Sequence, residues 1–132
     1  MITIKGTEYF YDDSEIINFS EGLIGLPEMR RAVLIAMSEF EPFCWLASLE
    51  NENTRFIVVD PLAIFTSYDV SVPGAPGEPK QQTLAIVKVS SDWQKTTINL
   101  RAPIVIDAQK KTGSQLILSD SNYQFAETLP QV

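Results

Sequence analysis

Three groups of residues in this chain of 132 are of the types that chemistry needs. Lys111-Thr112-Gly113 spells the third element of a serine β-lactamase site, but that site also needs a serine with lysine three residues later. No serine here has one, so the match is chance. Asp60 and Asp107 are carboxylates of the kind an acid–base pair or a metal would use. Each closes an apolar run, and nothing in their spacing joins them. Asp60 before Pro61 reads instead as a turn former or helix cap. Cys44, the one cysteine, lies within Phe43-Cys44-Trp45-Leu46, the setting of a buried and inert thiol.

What the chain lacks removes more. It has no histidine, so it can build no Ser-His-Asp triad, no Cys-His dyad and no His-ligated zinc. A single cysteine allows no internal disulfide and no thiolate metal cluster. There is no phosphate-cradling glycine loop and no EF-hand spacing. The chain is therefore expected to be no enzyme and to carry no metal or cofactor. With no signal peptide or membrane-length apolar run in sight, a reducing cytoplasmic setting is expected.

Charge is unevenly placed. The net charge is −7, and residues 1–53 account for all of it, with ten acids against Lys5, Arg30 and Arg31. Residues 54–132 balance seven acids with seven bases. A negative potential repels phosphate, which argues against direct nucleic-acid binding, and it speeds encounter with a basic protein.

The elements that must position any surface are strands. Ile2–Lys5, Glu15–Phe19, Ala32–Met37, Phe43–Leu49, Arg55–Val59, Thr83–Val89, Thr96–Leu100, Ile104–Ile106 and Gln115–Leu118 are short, rich in aliphatic residues and bounded by turn residues. Glu50-Asn51-Glu52-Asn53 joins two of them as a hairpin, and Pro61 starts one helical turn. Phe56 and Val58 alternate with Ile57 and Val59, so that strand is expected to be buried on both faces. Val72 to Lys80, with three prolines and two glycines, is expected to form a mobile loop. About nine short strands with one or two helical turns predict an all-β, mainly antiparallel fold, a small barrel or a sandwich.

Phe19-Ser20-Glu21-Gly22-Leu23-Ile24-Gly25-Leu26-Pro27 opens an ordered series of segments. It continues through Leu46-Ala47-Ser48-Leu49, then Phe56-Ile57-Val58-Val59-Asp60-Pro61 with Phe65 and Tyr68. Thr97-Ile98-Asn99-Leu100-Arg101-Ala102-Pro103-Ile104-Val105-Ile106, Gly113-Ser114-Gln115-Leu116-Ile117-Leu118 and Tyr123 complete it. The set resembles the FliW family of flagellar assembly factors. It departs from the family pattern at Leu26, where Phe is frequent, and at Ala47, where Gln is common.

The resemblance implies one FliW-like β domain over residues 1–132, cytoplasmic and non-enzymatic. It implies two protein partners, flagellin and the RNA-binding translational repressor CsrA. Binding to CsrA would relieve repression of flagellin mRNA, and flagellin export would free the protein to do so. No contact with nucleic acid or membrane is expected, and the chain is expected to act as a monomer. The alternative is a small β-barrel that holds a small molecule in an apolar interior.

Glu50, Glu52, Asp60 and Asp69 are the expected acidic contact points. Asn99 and Arg101 flank Leu100, so if Leu100 points inward they share an outward strand face. Phe19, Gly22, Gly25, Pro27, Pro61, Pro103 and Gly113 are expected to shape backbone and core.

Overall fold

Period-two alternation of aliphatic residues gives strands with two distinct faces, and in the computed structural model eleven of them form among the described residues. The structure describes residues 1–68, 81–119 and 121–130. The strands are β1 (Ile2–Ile4), β2 (Thr7–Tyr9), β3 (Ile17–Phe19), β4 (Arg31–Ala36), β5 (Cys44–Ser48) and β6 (Arg55–Val59). They continue with β7 (Gln81–Lys88), β8 (Thr97–Ile98), β9 (Ile104–Asp107), β10 (Thr112–Gln115) and β11 (Glu127–Thr128). Single 3-10 turns lie at Asp13–Glu15, Pro61–Ala63 and Trp93–Lys95.

The strands run β7-β6-β5-β4-β3-β10-β9, and β9 pairs back onto β7, so seven of them close a barrel. This settles the choice between barrel and sandwich. Neighbours in the ring are antiparallel except β3 and β10, which run parallel through Asn18↔Thr112 and Phe19↔Gly113. On its outer edge β7 pairs with β8 near Val87 and with β9 near Leu84. Between Ile98↔Val87 and Ile104↔Leu84 one strand advances six residues and the other three. The surplus is taken up in a bulge spanning residues 99–103.

The barrel interior is filled. Phe19, Leu46, Val58 and Ile104 are fully buried there, with Ala32, Leu84 and Ile106 beside them. Each large side chain so buried contributes roughly 1.5–3 kcal/mol. The glycine- and proline-rich segment after β3 folds into a plug over this interior. Leu23 and Leu26 exchange backbone hydrogen bonds of 3.0 and 2.8 Å, which places Leu23 and Met29 in the core. Gly22 sits at φ +69, and a Cβ there would lie 2.5 Å from the Leu26 carbonyl oxygen. Gly113 leaves room for the Phe19 ring, which crosses its Cα.

β6 is apolar on both faces, as its sequence predicts. Phe56 and Val58 join the interior, while Ile57 and Val59 join a cluster outside the barrel. That outer cluster is roofed by Tyr68, Leu100, Tyr123 and Leu129, and the Tyr68 hydroxyl donates to the Leu100 carbonyl at 2.6 Å. A second outer cluster lies over β4 and β5, where Val33, Ile35, Ala47 and Trp45 are covered by the β1–β2 ribbon. The ribbon turns through Lys5 and Gly6, both at positive φ, the geometry of a two-residue type I′ hairpin.

Several elements differ from the sequence reading. β2 and β11 are strands that the polar sequences Thr7–Tyr9 and Glu127–Thr128 do not announce. Glu15 belongs to a 3-10 turn, so β3 starts only at Ile17. The strand expected at Gln115–Leu118 lies earlier, at Thr112–Gln115. The Asp107 side chain accepts from the N–H groups of Gln109 and Lys110, and Lys111 adopts φ 53. The turn is therefore finished by Lys111, and the strand begins three residues sooner than expected, at Thr112. The expected mobile loop at 72–80 lies outside the described residues.

Candidate functional site

Of the acidic residues singled out in the sequence, Glu50 and Glu52 share the β5–β6 turn and Asp60 follows β6. Glu50 is engaged within the molecule. Its carboxylate accepts from the backbone N–H groups of Arg30 and Arg31 at 3.2 and 3.0 Å and pairs with the Arg31 guanidinium at 3.2 Å. Burial pushes its pKa up, but the N–H and guanidinium of Arg31 with the N–H of Arg30 outweigh that and hold it below the usual carboxylate range. Glu52 is exposed at the tip of the same turn, which Ser48 and Asn51 order through side-chain acceptance of N–H groups. Asp60 caps the 3-10 turn begun by Pro61, accepting from the Leu62 N–H at 2.9 Å. Asp69 lies outside the described residues.

Asn99 and Arg101 do not stand on an open strand face, because β8 ends at Ile98. Both are half-buried in the bulge. Asn99 Oδ1 accepts from the Ala102 N–H at 3.0 Å. Arg101 lies over the Phe125 ring and donates to the Ser119 carbonyl at 3.2 Å. Pro103 is fully buried beside them, and Pro27 is exposed at the edge of the plug. Gln115, not among the expected site residues, ties plug to bulge. Its Oε1 accepts from Ile24 N–H at 2.9 Å, and its Nε2 donates to the Ala102 carbonyl at 3.1 Å.

The described residues hold no cluster of three or more His, Cys, Asp or Glu that could bind a metal. No described helix is long and apolar enough to cross a membrane. The Cys44 thiol is raised by burial and then by the nearby Glu41 charge, the opposite of what a nucleophile needs.

Among the described residues a groove of about 530 Å3 lies on the outer wall of the barrel. Its floor is Trp45 and Ile57, a registered pair on β5 and β6. Trp45 packs into the cluster under the β1–β2 ribbon and Ile57 into the one under the roof around Tyr68, and both stay half-buried where the two coverings part. One bank is the loop from Met37 to Phe43; the other is Val89 and Trp93. Phe40 is 61 % exposed and Trp93 53 %, and Trp93 meets Phe43 edge-on at 6.2 Å. Lys5 and Arg55 both sit over Trp45, at 5.6 and 5.4 Å from its ring centre. Glu39 and Glu41 line the groove, are exposed, and form no ion pair with a described residue. Sequence reasoning missed this site because its residues come from five separate elements. The visible signal was an aromatic set among polar neighbours, Phe40 between Glu39 and Glu41 and Trp93 beside Asp92.

A closed barrel with a filled core and a large non-polar groove on its wall defines a small β-barrel with an apolar surface open to the outside. The family model described as FliW protein matches residues 2–129. The chain belongs to the FliW family. It is 33 % identical over 129 residues to flagellar assembly factor FliW of Clostridium beijerinckii, covering 92 % of each chain. Against the protein of the same name from Thermotoga maritima it is 35 % identical over 127 residues, covering 90 % of this chain and 85 % of that one. A crystal structure of the flagellar assembly factor FliW superposes with a TM-score of 0.89 at 27 % identity, covering 99 % of this chain and 97 % of that one.

Proposed function

We propose that this chain is a cytoplasmic flagellar assembly factor that works by binding alone. It associates with flagellin and with the translational repressor CsrA, and its association with CsrA relieves repression of flagellin mRNA. The observation that carries this reading is the groove, an aromatic surface left open on a filled barrel in a chain of the FliW family. Exposed aromatic patches on small proteins mark sites of macromolecular contact. The filled interior speaks against the small-molecule reading, which needs an enclosed cavity with convergent polar groups.

The charge supports a basic partner. A repressor that holds RNA presents cations, and the −7 of residues 1–53 favours encounter with it. Docked beside the RNA-binding face, the same charge repels phosphate, which antagonises RNA without occupying its site. The test is co-purification of the intact protein with CsrA and with flagellin, followed by competition between them. Both bind, flagellin displaces CsrA, and the CsrA complex weakens from ~50 to ~500 mM salt as the Debye length shrinks. Failure to bind either partner at micromolar concentration overturns the assignment.

A further inference from the structure

We infer that the groove seats an α-helix of a protein partner, its apolar stripe against Trp45 and Trp93 and a flanking lysine or arginine against Glu39 and Glu41. The inference rests on the binding role proposed above and specifies the kind of segment that fulfils it.

The conformation of the occupant follows from backbone bookkeeping. β5 is hydrogen-bonded to β4 on one side and β6 on the other, and β6 is bonded to β5 and β7. The floor of the groove therefore offers side chains and no free ladder edge. The adjoining bank is a loop bonded to itself through turns rather than a strand edge. Met37 N–H donates to the Phe43 carbonyl, Phe40 N–H to Met37 and Phe43 N–H to Phe40, at 2.8–3.2 Å. An extended segment pressed into this groove would bury N–H and C=O groups with nothing to pair them, each at a cost of roughly 1–3 kcal/mol. Strand addition, the usual way a sheet protein takes a peptide, is closed here. A helix satisfies its own backbone and presents only side chains, which is what this surface can receive.

The charge of the occupant follows from which groove charges are free. Lys5 and Arg55 are already held over the Trp45 ring. Glu39 and Glu41 have no cation among the described residues, and their part of the chain is the acidic one. A cationic flank complements them, and an anionic one is repelled.

The chain has two tryptophans, and both line the groove, so its intrinsic emission reports occupancy directly. The intact protein is titrated with a leucine–lysine peptide of about 18 residues, five helical turns with one leucine stripe. Two controls accompany it, the same composition with the stripe scrambled and a leucine–glutamate version. The stripe peptide produces a saturable blue shift, and both controls bind at least about tenfold more weakly. Phe40→Ser and the pair Glu39→Lys, Glu41→Lys each weaken the stripe peptide by about tenfold with unchanged circular dichroism. No emission change with the stripe peptide at about 100 µM, or equal binding of the scrambled one, overturns the inference. The same variants are then offered flagellin and CsrA. Capture of both at wild-type strength by Phe40→Ser refutes the groove while leaving the binding role intact. Capture of neither by the wild-type protein refutes the binding role itself.

Discussion

Gly22 and Gly25 both lie at positive φ, +69 and +81, yet the structure gives alanine very different receptions at the two positions. The left-handed backbone alone costs a non-glycine residue roughly 1–2 kcal/mol. At Gly25 nothing lies within 4 Å of an added Cβ, so that cost is the whole effect. At Gly22 the Cβ falls 2.5 Å from the Leu26 oxygen and 2.6 Å from the Pro27 oxygen, and backbone must move. Those oxygens are in use. Leu26 accepts from Leu23 and Met29 N–H groups, and Pro27 accepts from Arg30 Nε at 2.8 Å. Displacing them gives up one or two hydrogen bonds of about 1 kcal/mol each and loosens Leu23 and Met29 from the core. Gly25→Ala is therefore expected to lose about 1 kcal/mol and Gly22→Ala about 3 kcal/mol or more. With a urea m-value of about 2 kcal/mol/M, the unfolding midpoint drops by about 0.5 M in the first and about 1.5 M in the second. Urea unfolding followed by tryptophan emission and far-ultraviolet circular dichroism measures both. Equal midpoint shifts would show that the plug does not press on Gly22, and the reasoning would fail.

Other consequences can be checked in the same assay. Tyr68→Phe leaves the Leu100 carbonyl buried without its 2.6 Å donor and should cost about 1–3 kcal/mol; a loss under a few tenths contradicts the roof described here. Gly113→Ala drives a methyl into the Phe19 ring, and adding Phe19→Leu should recover part of the loss, whereas strict additivity of the two substitutions would speak against that contact. Glu50 has a lowered pKa in the folded state, so its stabilisation is present above its ordinary value of 4.5 and is lost as pH falls through the folded value. Glu50→Gln should accordingly be less stable than wild type at pH 7, with the gap closing below about pH 4. A gap that persists or widens in acid contradicts the sign.

What the sequence discloses depends on how local the physics is. The turn at Pro61 is legible because Asp60 caps it within two residues. The β5–β6 hairpin is legible because its turn is polar and short, and the two-sided burial of β6 follows from apolar residues in both parities. Closure of the barrel is not legible. It rests on the β7–β9 pairing and the parallel β3–β10 contact, each joining distant segments. β2 and β11 escape notice because their residues are mostly exposed and polar and become strands only through their partners. Asn99 and Arg101 read as an outward pair under strict alternation, but the bulge interrupts it and turns both to contacts within the molecule. The groove was hidden for the same reason as the barrel: Lys5, Phe40, Trp45, Ile57 and Trp93 meet only once the wall has closed.

The proposal that this protein acts through contact and leaves its partners chemically unchanged has a direct stoichiometric test. A reporter carrying a flagellin mRNA leader is translated in a purified system, silenced with CsrA, and the protein is added in increments. Translation should recover in proportion to the protein added and level off near one equivalent of CsrA binding sites. Full recovery from a small fraction of an equivalent would mean that each molecule acts repeatedly, and the account would be wrong.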